Sequence, residues 1–272
     1  MRGTLYVVGT PIGNLDDITY RAVRILGEVD LVACEDTRQT HKLLEHYGIR
    51  KPMISYHEHN EADRSRDLVQ RIEGGQSIAL VSDAGTPLVS DPGYRLVHAA
   101  VERGIPVVPV PGPSAAVAAL SASGLPSDSF RFMGFLPPKS GQRRRMFESL
   151  KHETATLVFY EAPHRIAEAL DDAAETLGDR PVVVAREITK MHEEFIRGTA
   201  AEVAAELRSR PAIKGEITLL IAKAGEPQAA EGPIREAVEA LERAGLARMD
   251  AMKQVARERG ISKRDVYKEM EN

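Results

Sequence analysis

Short, mostly apolar segments alternate with amphipathic stretches through the first half of the chain. Leu5–Val8, Val29–Ala33, Ile78–Val81 and Val107–Val110 are each bounded by Gly, Pro or Asp, which predicts buried strands. Between them, Ile18–Leu26, Lys42–Tyr47, Ala62–Ile72, Tyr94–Glu102 and Ala115–Ser121 carry helical spacing. Strands alternating with helices predict a parallel or mixed sheet with helices on its faces, so the expected fold class is α/β. In such sheets ligands sit at the carboxyl ends of the strands, where the loops are.

A second α/β block follows. Phe130–Phe135, Thr156–Tyr160, Val182–Ala185 and Glu216–Ala222 predict strands, and Arg143–Leu150, His164–Leu177 and Ala201–Leu207 predict helices. Gly225 to Pro233 has the composition of a linker. Three helical pieces come after it, Ile234–Ala244, Arg248–Arg259 and Lys263–Met270, with Ser262 placed to cap the last. The predicted organisation is an N-terminal α/β domain over 1–117, a second α/β domain over 118–227 and a helical tail over 233–272.

With 272 residues, 43% hydrophobic and 28% charged, the chain has the length of about two domains and can bury a sizeable core. Apolar runs stop at about eight residues, whereas a membrane helix needs about twenty, and the N-terminus lacks a signal-peptide core. The expectation is a cytoplasmic protein without membrane association. One cysteine, Cys34, excludes an internal disulfide and a multi-cysteine zinc site. His57-Glu58-His59 offers two imidazoles but no evident third ligand, so it reads as a polar loop and no metal site is expected. A net charge of −4 argues, taken whole, against a nucleic-acid partner.

The predicted strand ends are where the sequence departs from an ordinary scaffold. Gly9-Thr10-Pro11-Ile12-Gly13-Asn14, with Glu35-Asp36 near the end of the next strand, loosely suits a dinucleotide-binding turn. Pro11 intrudes where that turn needs glycine; the alternative is a tight turn before a helix capped around Asp16. Ser82–Gly93 packs two Asp, two Ser, two Pro and two Gly into one loop, stiff yet open to close backbone approach. Pro109–Ala116 opens a small-residue helix whose free N–H groups suit an anion, or is simply a well-capped buried helix. Phe135–Lys139, Tyr160–Arg165 and Arg186–Lys190 end strands of the second block, and together they point to a cleft between the blocks. No Walker loop, H-E-x-x-H, G-x-S-x-G or C-x-x-C motif is present.

These stretches, in order over essentially the whole chain, resemble the tetrapyrrole-methylase family of S-adenosylmethionine enzymes. Val8–Asn14, Ser82–Pro87 and Phe159–Arg165 carry the resemblance most specifically. It implies a two-domain fold, usually dimeric, with S-adenosylmethionine bound between the domains. By position it implies cofactor contacts at Pro11, Ile12, Asp83, Ala84, Gly85, Thr86, Pro87, Ser114, Ala115, Phe135, Leu136, Glu161 and Ala162. The match runs closest to the ribosomal-RNA branch, which implies 2′-O-methylation of a cytidine ribose in the decoding region of 16S rRNA. The alternative within the family is C-methylation of a tetrapyrrole precursor; a nucleotide- or RNA-binding module without catalysis is the third reading.

A ribose hydroxyl loses its proton as it attacks, so a nearby acceptor helps. Glu35, Asp36, Glu161, Glu187 and Lys190 are candidates, with Lys190 eligible only if burial lowers its pKa. Glu187 and Lys190 are the expected substrate-side, catalytic residues, with a structural ion pair between them as the alternative. Charge patterning bears on the acceptor molecule. Arg243–Lys268 holds eight Lys or Arg against three acids, and Arg131–Lys151 holds six against Glu148, with Arg143-Arg144-Arg145 at its centre. Two local clusters of +5 inside a net −4 chain suit a phosphate backbone, or are solvated helix faces; the resemblance implies 16S rRNA or the small ribosomal subunit as the partner.

Overall fold

The computed structural model describes residues 2–225, 233–243, 245–259 and 261–271. The chain separates into two compact units: residues 1–149 with 155–222, and residues 150–154 with 223–272. The first unit holds both sheets. Its N-terminal half runs β1 (Leu5–Val8), a 3-10 turn at Leu15–Asp17, α1 (Tyr20–Glu28), β2 (Leu31–Cys34), α2 (Thr37–His46), β3 (Met53–Ser55), α3 (Glu61–Glu73), β4 (Ile78–Leu80), α4 (Tyr94–Glu102), β5 (Val107–Val110) and α5 (Ala115–Ser123).

The five strands form one parallel sheet in the order β3-β2-β4-β1-β5. Apolar side chains leave it on both faces. Leu5, Leu31, Ile78 and Leu80 meet Leu68, Ile72 and Leu96 on one side, while Val8, Val32 and Cys34 meet Ile25, Leu26 and Leu44 on the other. Burial on both faces is why these strands lack a polar alternation.

The second half runs β6 (Phe130–Phe135), α6 (Ser140–Ser149), β7 (Thr156–Glu161), α7 (Ile166–Leu177), β8 (Pro181–Arg186), β9 (Glu194–Thr199), α8 (Ala200–Arg208) and β10 (Ile217–Ile221). Its sheet, ordered β6-β7-β10-β8-β9, is mixed: β6 and β7 are parallel, the other pairs antiparallel. α5 packs its alanines, Ala116 and Ala119 with Leu120, onto Val158, Val183 and Leu220 of this sheet. Residue 117 therefore falls inside a helix that the second sheet buries. Its small residues permit that close approach.

Two strands differ from the sequence expectation. β3 is a three-residue, half-buried edge strand, too short to show a period. β9 is absent from the predicted strands; it carries Glu194, Arg197 and Gly198, and Glu194 is neutralised by the Arg186 and Arg210 guanidiniums on a sheet edge. Nor does Asp16 cap a helix: Asn14 caps the 3-10 turn and Thr19 caps α1, its hydroxyl accepting from Ala22 N–H at 3.1 Å.

In the second unit α9 (Ile234–Arg243), α10 (Arg248–Glu258) and α11 (Lys263–Glu271) enclose a small core of Val238, Ala251, Met252, Val255 and Val266. Ser262 caps α11, accepting from Asp265 N–H at 3.2 Å. Most of the predicted linker, residues 226–232, lies outside the described residues, as do Ala244 and Gly260. No helix among the described residues is long and apolar enough to cross a membrane.

Candidate active site

The carboxyl ends of β1, β4 and β5 are tied together by backbone contacts. A Cβ on Gly9 would lie 2.7 Å from the Cα of Gly112, so the exits of β1 and β5 touch through two glycines. That contact, rather than a dinucleotide turn, accounts for Gly9. Thr10 pairs with Gly85 through bonds of 2.9 and 3.1 Å, and its hydroxyl donates to the Ser82 carbonyl at 3.1 Å. The Thr86 hydroxyl donates to the Pro113 carbonyl at 3.4 Å. Three strand-end loops are thereby locked into one surface.

These loops and the ends of β6, β7 and β10 enclose a cavity of about 310 Å³ within the first unit, in the size range of small-molecule sites. Of the residues expected to hold cofactor, Ile12, Ala84, Gly85, Thr86, Ser114, Ala115, Phe135, Glu161 and Ala162 line it. Pro11, Asp83, Pro87 and Leu136 are not in the lining. Asp83 instead accepts from the Asp36 N–H at 3.0 Å, bracing the loop after β2. The lining also includes Val89, Ser90, Asp91, Tyr160, Pro163, Ile188 and Gly215–Thr218. Ser90 and Asp91 belong to the loop whose composition marked it; Gly215–Thr218 open a predicted strand and arrive through the register of β10 beside β7 and β8.

Glu161 is the most buried carboxylate of the lining. Its Oε1 accepts from Arg165 at 2.5 and 2.9 Å and from the Ala162 N–H at 2.6 Å, while Oε2 is buried with no partner. Arg165 is thus turned inward onto Glu161, and His164 is exposed away from the lining. Phe135 and Tyr160 meet edge-on at 5.5 Å and give the cavity an aromatic wall. Burial pushes the Tyr160 phenol up, and the Asp91 and Glu216 charges add to this.

Glu187 and Lys190 lie beside the cavity and not in its lining. Lys190 Nζ is 2.8 Å from Glu187 Oε1 and 3.1 Å from Glu216 Oε2. Burial pulls the Lys190 ammonium down, but the bonds to Glu187 and Glu216 outweigh it and leave the pKa raised; the same Lys190 bond holds Glu187 low. The condition for Lys190 to act as a base is therefore unmet. Both residues sit in a strained turn, with φ of +52° at Glu187 and +68° at Thr189. Gly13 and Gly215 make room for the pair: a Cβ there would come within 2.5 Å of the Lys190 stem and 2.4 Å of Glu187 Cγ.

The remaining acids divide by environment. Asp36 caps α2 and is held down at about 2 by Arg38. Burial and the neighbouring Asp83 push Glu35 up, and it does not reach the lining. Burial, then Glu35 and Asp83, push Asp91 up to about 6 against a partial offset from Ser82. His57 lies in the turn before α3, bonded through Nε2 to Asn60 at 3.1 Å.

Two of the three arginines of Arg143-Arg144-Arg145 spend charge on carboxylates of the fold, which the charge count did not show. Arg143 is 1% exposed and pairs with Asp172 of α7 at 2.7 Å, and Arg144 pairs with Asp172 and Glu175. Arg143 precedes Phe147 by four positions, on the buried stripe of its helix, and that spacing was the available signal. In the tail, by contrast, Arg243, Arg248, Lys253, Lys263, Arg264 and Lys268 are all exposed.

A family model, Tetrapyrrole (Corrin/Porphyrin) Methylases, matches residues 4–204. The chain belongs to the tetrapyrrole methylase family. It is 50% identical to the ribosomal RNA small subunit methyltransferase I of Halalkalibacterium halodurans, over 98% of this chain and 94% of that one. It is 47% identical to the protein of the same name from Synechocystis, over 97% and 96%. Among solved structures, the uroporphyrin-III C-methyltransferase of Thermus thermophilus complexed with S-adenosyl homocysteine shares the fold. Its TM-score is 0.55 at 20% identity, covering 80% of this chain and 97% of that one. The cavity of this tetrapyrrole methylase fits a cofactor that brings amines to an apolar, aromatic-walled slot. Oε2 of Glu161, buried and unpartnered, is the acceptor such a donor requires.

Proposed function

We propose that the chain is an S-adenosylmethionine-dependent methyltransferase that methylates the 2′-oxygen of a cytidine ribose in the decoding region of 16S rRNA. One observation carries the choice of acceptor: the family model ends at residue 204, whereas the likeness to ribosomal RNA methyltransferases continues over 98% of the chain, into the basic tail. In this reading residues 1–117 and 118–227 are the two α/β domains that complete the cofactor cleft, and 233–272 is an RNA-docking tail. The protein works in the cytoplasm as a homodimer, on free rRNA or on the small subunit.

The cofactor supplies an activated methyl on a sulfonium, so placement of the attacking oxygen provides most of the rate. Glu161 and the backbone around Ala84–Thr86, Ser114-Ala115 and Ala162 hold the cofactor; Ile12 and Phe135 pack on it. Pro11, Asp83, Pro87 and Leu136 belong to the same strand-end loops. Glu187 and Lys190 act on the substrate side: the ammonium, kept protonated by two carboxylates, fixes the rim where RNA enters.

Tritiated S-adenosylmethionine offered with stripped 30S subunits, with free 16S rRNA and with a tetrapyrrole precursor tests this. Label in RNA at one alkali-resistant cytidine supports the reading, because a blocked 2′-hydroxyl cannot assist strand cleavage. Label in the tetrapyrrole alone would replace it by C-methylation, and no transfer with retained cofactor binding would leave a binding module.

A further inference from the structure

Three carboxylates line the cavity, Asp91, Glu161 and Glu216. Two of them are committed to cations, Glu161 to Arg165 and Glu216 to Lys190. Glu161 keeps its second oxygen for a ligand donor and Glu216 Oε2 is engaged by the Lys190 ammonium, so neither is placed to take a substrate proton. Asp91 has the opposite surroundings. The charged groups facing it are Glu35, from the loop after β2, and Asp83, from its own loop, while Tyr160 presents a phenol from β7.

Placement supports the same residue. Leu88 and Ser90 hold φ of +73° and +67°, left-handed conformations that cost energy for residues with side chains. This backbone turns Ser90 and Asp91 into the cavity, where a Cβ on Gly134 of β6 would stand 3.4 Å from Ser90 Oγ. Asp91 thus stands where the loop of the first sheet meets a strand of the second, in the same lining as the unpartnered Glu161 oxygen that marks the ligand site.

We propose that Asp91 is the proton acceptor for the ribose 2′-hydroxyl, an assignment that rests on reading this cavity as the site of methyl transfer to RNA. As the 2′-oxygen forms its bond to the methyl carbon, the carbon–sulfur bond breaks and its electron pair stays on sulfur. The hydroxyl proton passes to an Asp91 carboxylate oxygen. The products are the 2′-O-methyl ribose, the neutral thioether and protonated Asp91, which returns its proton to solvent. A carboxylate with carboxylate neighbours and partial burial titrates close to working pH, where general bases are most effective.

The test is single-turnover methyl transfer to the RNA substrate from about pH 5 to about pH 9 with wild type, Asp91→Asn and Asp91→Glu, a range spanning the acceptor's titration. Calorimetry with S-adenosylhomocysteine and a carboxyl 13C titration of aspartate-labelled protein without cofactor run alongside. The wild-type rate is expected to rise with pH and level off above the Asp91 titration near about 6. D91N should lose about 100-fold or more of the rate, together with that acid limb, while binding the thioether within about twofold of wild type. D91E should recover part of both, and D91N should lack the high-titrating aspartate resonance.

Wild-type rate and acid limb in D91N, or no aspartate titrating above about pH 5, would overturn the assignment. So would loss of thioether binding in D91N, which would make Asp91 part of the cofactor's hold. If wild type labels no RNA while binding the thioether, the functional reading itself fails and takes this assignment with it.

Discussion

Arg143 and Asp172 meet 2.7 Å apart with both side chains almost fully withdrawn from solvent. The pair joins α6 to α7 and is completed by the Ser140 hydroxyl at 2.8 Å and by Arg144 at 2.7 Å. Burial works against the Asp172 charge, but these three donors together hold its pKa down. Removing one partner of a buried pair strands the other, which costs about 3–5 kcal/mol, whereas an apolar replacement of both is close to neutral. Asp172→Ala should therefore destabilise the protein by about 3 kcal/mol in urea unfolding, and R143M/D172L should restore most of the loss. A D172A midpoint close to wild type would show that the pair contributes nothing beyond its neighbours.

Glu161 offers a sharper test of the cavity. Its Oε2 is a buried acceptor without a partner in the cavity lining, and hydrogen bonds to charged groups are worth about 1.5–3 kcal/mol. Glu161→Gln removes the charge while keeping the shape. It should weaken S-adenosylhomocysteine by about 10-fold or more in calorimetry, since about 1.4 kcal/mol is tenfold. Unchanged affinity would place the cofactor's amines elsewhere.

How far the sequence could be read depended on whether a residue's partners were local. The strand–helix alternation and the loops at Ile12, Ala84–Thr86, Ser114 and Glu161 were legible because each sits in its own strand-end motif. Gly215–Thr218 reach the cavity only through β10 lying between β7 and β8, a pairing that no local pattern encodes. Arg143 misled for the same reason: as a count of charge it is a phosphate ligand, and only the helix stripe shared with Phe147 shows it facing Asp172. Lys190 was ambiguous because its pKa depends on Glu216, which lies 26 positions away in sequence and 3.1 Å away in space.

Asp91 links the cavity to stability. Its carboxyl titrates at about 6 in the folded chain against an ordinary 3.8, so between those values the folded state binds more protons than the unfolded one. Stability attributable to this group therefore falls as pH rises through that window; the penalty is full above it and absent below it. Asp91→Asn should stabilise the protein at pH values near 8 by about 1–2 kcal/mol, after discounting for solvent screening, and give no gain near pH 3. Melting curves of both proteins across that range check the sign. A gain independent of pH would assign the effect to packing.

Lys263, Arg264 and Lys268 are exposed on the last helix, whereas the charge of the Arg143 cluster is largely consumed internally. If the tail docks RNA, these cations release counterions from phosphates, and each contact removed lowers the salt slope of binding by about one. The variant K263Q/R264Q/K268Q should weaken 30S binding most at low salt and flatten log K against log[salt] by about two to three. Cofactor affinity should stay as in wild type, because the cavity lining lies wholly in the other compact unit. Substituting Arg144 and Arg145 should change the slope by less, since Arg144 already serves Asp172 and Glu175. An unchanged slope in the tail variant, with intact helices by circular dichroism, would move the RNA-binding surface off the tail.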